Sequence, residues 1–367
     1  MKIVFCGGGT SGHVNPALNI AEEIKKRIHD CEIMFIGTKR GIESTLVPKH
    51  GYSIEFVEVS GFSRRLTLSN IKAAYRAVTS VSKAKKIIKR FGPDLVIGTG
   101  GYVSWPTVKA ASKLGIPTLI HEQNAFPGVT TKMLSRYADK ICISFEGSKK
   151  YFDPVCEGKM VLTGNPITVD NITYEDARAR LGIAPDEPYI LSYGGSMGAR
   201  TVNEVSFEIM ERLSVPKKIR HTHAIGRVEF AKFDAIAKQK GFYDCPNLQI
   251  SEYIYDMPLR QAAADVIICR AGAMTLAELA IKAKASVLIP SPHVTEDHQY
   301  KNARLLADAG AAIVHRESEL DVNGLVREVE ELLSNPNKRR RMETAITEFA
   351  MPDSVKIIAD NALSLVK

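Results

Sequence analysis

No Asp-x-Asp pair occurs anywhere in the 367 residues. The carboxylate pair by which many transferases hold a nucleotide diphosphate through a metal is therefore absent, and neither a metal nor a cofactor is expected. The six cysteines are scattered, with no C-x-x-C and no paired histidines nearby. That excludes a zinc or redox motif and leaves reduced, mostly buried thiols. No apolar run approaches the ~18 residues of a membrane span. Apolar residues 3–6 pass straight into glycines, so no signal peptide is expected and the chain reads as cytosolic. One further absence is local: residues 62–90 contain no acid.

The composition is of soluble type, 45% hydrophobic and 25% charged, and the length suffices for two cores of ordinary size. The net charge is +8, and the acid-free stretch carries nine Lys and Arg, among them Arg64, Arg65, Lys72 and Arg76. Phe62, Leu66 and Tyr75 are interleaved with these at mostly helical spacing. A basic amphipathic segment suits an anionic lipid surface. No nucleic-acid motif accompanies it, and an ordinary surface helix with its apolar stripe in the core fits the same pattern.

Three glycine-rich turns carry most of the information: GGGTSGH at 7–13, GTGGY at 98–102 and GGSMGA at 194–199. Each follows a short apolar run and precedes helical periodicity. Glycine lets bare backbone approach a ligand, and the helix behind it aims unpaired N–H groups and its positive end at an anion. Three such turns, the third in the other half of the chain, predict a pyrophosphate-bearing substrate held between two domains.

Strands are expected at 2–6, 32–36, 54–57, 95–97, 118–121, 140–143 and 160–162, with helices at 15–28, 69–91, 105–114 and 130–137. This alternation predicts an α/β fold with a doubly wound parallel sheet. Gly164-Asn165-Pro166 breaks the pattern, which places a domain boundary between 1–164 and 167–350. A second series follows, with strands at 189–192, 220–224, 248–250, 266–269, 286–289 and 312–314. Met351-Pro352 interrupts the last helical run, so 353–366 is expected as a separate helix packing back on the first domain.

Gly7, Gly9 and Gly12 can be read as G-x-G-x-x-G, but the second strand is followed by Gly37-Thr38-Lys39-Arg40, with no acid at its tip for a ribose. Lys39-Arg40 keeps a 2′-phosphate reading open. More specific is His13 at the helix start: a histidine at the positive helix end is disfavoured as a cation and can accept a proton, although capping or packing would also place it there. HEQN at 121–124 ends the fifth strand with four polar residues, suited to hydrogen bonding or to loop formation. In RAGAMTLAE at 270–278, Gly272 and Ala273 allow a diphosphate near the helix start, and Glu278 is placed to accept both hydroxyls of a ribose or to serve the helix dipole alone. His298 and Gln299 open a later helix with side chains suited to sugar hydroxyls.

Together these residues resemble the MurG family, peptidoglycan N-acetylglucosaminyltransferases of GT-B type. The likeness runs through 7–16, 99–104, 121–124, 164–166, 194–199, 270–278 and 298–303 in the family's order. It implies two Rossmann-like doubly wound domains facing a cleft, UDP-GlcNAc held mainly by the C-terminal one, and lipid I by the N-terminal one. The implied roles are His13 as base, with Glu122 catalytic beside the acceptor and Gly100, Gly101 and Tyr102 on the acceptor side. Thr10, Ser11, Gly12, Asn124, Ser196, Ile254, Ala273, Met274, Thr275, Glu278, His298 and Gln299 would contact UDP-GlcNAc, with Ile254 at the uracil beside Tyr253. The segment with Phe62, Arg64, Arg65, Leu66, Lys72, Tyr75 and Arg76 would rest on the anionic cytoplasmic face of the membrane, making the protein peripheral there. Other cell-wall synthesis proteins are possible partners under this resemblance, and nucleic acid is not. One departure stands out: where the family often carries arginine two residues after the Gly-Asn-Pro, this chain has Thr168, so that charge must come from elsewhere, with Arg200 and Arg270 as candidates.

The expected reaction is an inverting transfer of GlcNAc to the C4 hydroxyl of the muramoyl sugar of lipid I, giving lipid II. The alternatives are another GT-B transferase with a lipid or small-molecule acceptor, a UDP-GlcNAc epimerase, a nicotinamide-dependent oxidoreductase and a nucleotide-sensing binding protein.

Overall fold

The short apolar runs fold as strands, and the central ones are buried on both faces. In β1 (Lys2–Gly7), Ile3 and Phe5 enter one apolar cluster while Val4 and Cys6 enter another on the opposite face. The computed structural model describes residues 1–59 and 68–366, with the side chains of 68–78 excepted. The described chain divides into two compact units, Met1–Thr168 with Met351–Lys367, and Val169–Ala350.

The first unit continues with β2 (Glu32–Gly37), β3 (Ser53–Phe56), β4 (Leu95–Gly100), β5 (Thr118–Glu122), β6 (Lys140–Ile143) and β7 (Met160–Leu162), in the order β3-β2-β1-β4-β5-β6-β7. The second unit holds β8 (Tyr189–Tyr193), β9 (Arg220–Ala224), β10 (Leu248–Ser251), β11 (Val266–Cys269), β12 (Ser286–Leu288) and β13 (Ile313–Val314), in the order β10-β9-β8-β11-β12-β13. Every pairing is parallel. Each sheet reverses direction once, between β1 and β4 and between β8 and β11. Ligands in such sheets sit beyond the strand C-termini at that reversal, and there the glycine turns lie.

Two boundaries differ from expectation for physical reasons. The β4 strand runs on through Gly98 and Thr99 to Gly100, because its register with β1 shifts between Cys6 and Gly7 and keeps the glycines paired. The first helix begins at Ser11 rather than 15, since the Thr10 carbonyl accepts from the N–H groups of both His13 and Val14. Pro16 therefore lies inside the helix, where it removes the bond Gly12 would otherwise accept.

The Gly-Asn-Pro segment belongs to the first unit, so the chain leaves that unit after Thr168. Asn165 donates to the Gln123 carbonyl at 3.1 Å, Asn19 donates to the Pro166 carbonyl at 2.7 Å, and Ser354 Oγ donates to the Asn165 carbonyl at 2.5 Å. The helix Ser354–Leu363 packs on the first unit, burying Ile358, Ala359 and Ala362, with Arg27 paired to Asp360 at 2.5 Å. Burial of the Ile358 side chain alone is worth about 1.5–3 kcal/mol.

Among the described residues, no helix is long and apolar enough to cross a membrane. Phe62, Arg64, Arg65 and Leu66 lie outside the described residues; Lys72, Tyr75 and Arg76 fall on the helix Leu68–Phe91, within the part described by backbone alone.

Three histidines are buried completely: His121 on β5, and His221 and His223 on β9. Ser192 Oγ lies 2.8 Å from His221 Nε2 and 2.7 Å from His223 Nδ1, and His223 Nε2 reaches Asn203 Oδ1 at 3.1 Å. Burial disfavours the cation: it lowers His121 from 6.5 to about 4 and His223 from 6.5 to about 3, and holds His221 well below its ordinary value. Groups whose folded values are lowered contribute stability fully above the unfolded value, and lose it as pH falls toward the folded one. Unfolding free energy is therefore expected to drop between pH 6.5 and 5 by about 1–2 kcal/mol for each of His121 and His223, with His221 acting in the same direction. Urea titrations read this directly; a flat stability across that window would contradict the neutral network.

Candidate functional site

At the β1–β4 reversal the two glycine turns meet closely. A Cβ on Gly101, at φ +78°, would strike the Gly8 carbonyl oxygen, and one on Gly100, at φ +107°, would lie 2.6 Å from His13 Nδ1. Glycine at 100 thus makes room for the His13 ring. The His13 backbone is held as well, since its carbonyl accepts from Thr99 Oγ1 at 2.7 Å. His13 Nδ1 lies 3.1 Å from Gln123 Oε1. Thr10 and Gly12 are exposed, Ser11 and His13 half-buried, and Tyr102 is exposed.

Beneath the first turn sits Glu43, 1% exposed. Its Oε2 accepts the Gly9 N–H at 2.9 Å, and its Oε1 accepts the Thr38 N–H at 2.9 Å and the Thr38 hydroxyl at 2.7 Å. A Cβ on Gly8 would come within 2.5 Å of this carboxylate. The second strand therefore does have an acid after it, but one folded inward to shape the turn. Gly9 consequently gives its amide to Glu43, which leaves the turn one N–H fewer for an anion than bare glycines suggest.

Glu122 has a similar fate. Its carboxylate is 2% exposed and accepts from the Asn124 N–H at 3.0 Å, the Asn124 side-chain amide at 3.1 Å and the Gly128 N–H at 3.1 Å. These bonds make Glu122 the anchor of the loop 123–128. Asn124 is left half-buried on that loop.

The second unit repeats the glycine logic around β8 and β11. Gly198 and Gly226, both at positive φ, approach so closely that a Cβ on either would collide with the other's segment. Helix Arg200–Ile209 and helix Ala273–Ile281 both start without a side-chain cap, behind the turns at 194–199 and at Gly272. Ser196 is exposed, while Met274 and Thr275 are half-buried and Ala273 is buried. Glu278 is half-buried, one turn beyond Thr275. It accepts from Gln261 Nε2 at 3.1 Å, and burial pushes its carboxyl up. Ile254 is buried between exposed Tyr253 and Tyr255, whose rings meet edge to face at 4.9 Å.

His298 opens its helix with Nδ1 donating to the Thr295 carbonyl at 2.8 Å, and Gln299 Oε1 accepts the Ser291 N–H at 2.9 Å. Glu296 and Asp297 just before them both sit at φ +55°. Two successive non-glycine residues in that region store strain of the kind found at ligand-binding loops. Asp297 is held by Arg316, which lies over the Tyr300 ring at 3.8 Å.

The two candidates for the missing arginine differ in their surroundings, Arg270 in a part-buried ion pair and Arg200 in an exposed one. Arg270 reaches the Ile289 carbonyl at 2.9 Å and pairs with Glu317 at 2.5 Å; Arg200 pairs with Glu204 at 2.8 Å. Among the described residues no group of three or more His, Cys, Asp or Glu gathers as a metal site. Sequence reasoning missed Glu43 and gave Gln123 no role. The only signals were an acid two residues after Gly41 and the place of Gln123 in a polar strand end.

Known proteins share this architecture. The glycosyltransferase family 28 N-terminal domain matches residues 3–143 and the glycosyltransferase family 28 C-terminal domain matches 189–358. A protein of Acetivibrio thermocellus is 45% identical over 369 aligned positions, covering 100% of this chain and 99% of its own; it is named UDP-N-acetylglucosamine–N-acetylmuramyl-(pentapeptide) pyrophosphoryl-undecaprenol N-acetylglucosamine transferase. The crystal structure of Acinetobacter baumannii MurG superposes with a TM-score of 0.78 at 30% identity, covering 99% of each chain. The UDP-GlcNAc 2-epimerase of Neisseria meningitidis bound to UDP-GlcNAc gives a TM-score of 0.64 at 13% identity over 99% of this chain and 100% of that one, which is a likeness of fold alone. With two parallel sheets in the GT-B arrangement and domain matches in both halves, the chain belongs to glycosyltransferase family 28, in its MurG branch.

Proposed function

We propose that this enzyme transfers N-acetylglucosamine from UDP-GlcNAc to the C4 hydroxyl of the muramoyl sugar of lipid I, forming lipid II with inversion at the anomeric carbon. The end-to-end match to a relative named for that transfer carries the reading. The bond from C4 oxygen to the anomeric carbon forms as the bond from that carbon to the β-phosphate oxygen breaks. The electron pair leaves on UDP, and the hydroxyl proton goes to His13 Nε2. General base catalysis of this kind is worth typically ~10²–10⁴ in rate.

The helix starts at Arg200 and Ala273, each behind a glycine-containing turn, are suited to the diphosphate, since their dipoles favour the charge that grows as UDP departs. On this reading Glu278 takes the ribose hydroxyls, Ile254 the uracil, and His298, Gln299 and Asn124 the GlcNAc. Tyr102 and the glycines beside it belong to the acceptor side. The acid-free basic segment 62–90 fits an anionic bilayer surface, which would make the protein peripheral at the cytoplasmic face, where a polyprenyl-linked acceptor presents its head group.

Incubation with radiolabelled UDP-GlcNAc and a lipid I analogue is expected to yield a labelled disaccharide lipid. Conversion of UDP-GlcNAc without acceptor would instead favour an epimerase. In His13→Ala, kcat is expected to fall at least ~100-fold with the donor KM little changed; normal turnover would remove His13 from the mechanism. Glu278→Ala removes two hydrogen bonds to a charged group, so donor binding measured by calorimetry is expected to weaken by about 10–100-fold. An unchanged affinity would place the ribose elsewhere.

A further inference from the structure

We infer that Gln123, itself oriented by His121, is a positioning residue that fixes the tautomer of His13, keeping its hydrogen on Nδ1 and leaving Nε2 bare to take the proton. The inference rests on the reading of His13 as the base.

The chain of reasoning starts at a group that can only accept. His121 Nε2 lies 3.0 Å from the Gly164 carbonyl oxygen. A carbonyl has no hydrogen to give, so Nε2 carries one. His121 is fully buried and burial lowers it to about 4, so its ring is neutral and Nδ1 is a bare acceptor. Facing Nδ1, at 2.8 Å, is Gln123 Nε2, which also lies 2.9 Å from the Thr99 carbonyl and 3.2 Å from the His121 carbonyl. Three acceptors around one atom of the amide identify it as nitrogen. The amide cannot flip without setting its oxygen against all three.

Gln123 Oε1 is thereby directed at His13 Nδ1, 3.1 Å away. An amide oxygen only accepts, so the hydrogen of neutral His13 sits on Nδ1. Its Nε2 makes no hydrogen bond to a described residue and holds the lone pair a general base needs. Gly100 allows the contact, because any side chain there would displace the ring. Gln123 is 2% exposed, so water does not compete for its amide. The relay Gly164–His121–Gln123–His13 thus converts one backbone carbonyl into a decision about which ring nitrogen is basic.

The test is spectroscopic first. In protein carrying ¹⁵N-histidine, long-range ¹H–¹⁵N correlation at pH 8, with His13 assigned by its loss in His13→Ala, is expected to show a protonated Nδ1 and an unprotonated Nε2 for His13. His121 is expected to show the reverse. In Gln123→Met, which keeps the length but neither donates nor accepts, the His13 signals should move toward the Nε2–H form. Its kcat should fall by ~10-fold or more while the donor KM stays within about twofold, a fraction of what a general base supplies. Should that variant fail to fold, the wild-type spectrum decides alone. A wild-type His13 with its hydrogen on Nε2, or a folded Gln123→Met with the wild-type His13 spectrum, overturns the positioning. Unchanged turnover in His13→Ala overturns the base itself together with its positioning, whatever the spectrum shows.

Discussion

Everything at the β1–β4 reversal depends on two backbones approaching more closely than any side chain would permit. Gly8 and Gly101 touch carbonyl to Cα, and Gly100 turns at a φ of +107° beside an imidazole. A buried carboxylate, Glu43, holds the near side of this contact by taking the Gly9 amide. The glycines are needed for packing before they are needed for a ligand. Thr99 on β4 and His13 on the first helix are then in register, with a hydroxyl-to-carbonyl bond between them.

The second unit meets the same topological demand with a different emphasis. Its glycines at 198 and 226 hold the turn after β8, and the atoms nearest them are backbone rather than a carboxylate. The helix starts behind its turns are uncapped. A site for a departing diphosphate wants such a field, free of opposing charge. A site for a proton acceptor tolerates a carboxylate underneath. The two halves share a sheet topology and differ in what lies below the turn.

The strand positions were legible in the sequence because each strand is a run of apolar residues ended by glycine or polar turn residues. β1 and β8 are read this way to within a residue. The fold class follows from their alternation with helical periodicity. Side-chain direction was not legible. Glu122 and Arg270 sit in motifs that suggest ligands, yet one turns into its own loop and the other toward Glu317. Glu122 is held by Asn124 and Gly128, two and six residues on, and Arg270 by Glu317, 47 residues on, and neither spacing follows from a helix or strand period. Glu43 went unnoticed for the same reason: nothing near it in sequence announces that it will fold under residues 7–9.

In the His121–Gln123–His13 chain, neither the buried His121 ring nor the Gln123 amide carries a formal charge. A surface pair such as Arg27 with Asp360 fades as ionic strength rises, because mobile ions screen it. A run of neutral donors and acceptors inside the protein offers salt nothing to screen. The orientation of the His13 ring is thereby insulated from the ionic atmosphere, even in a chain that carries nine Lys and Arg and no acid between residues 62 and 90.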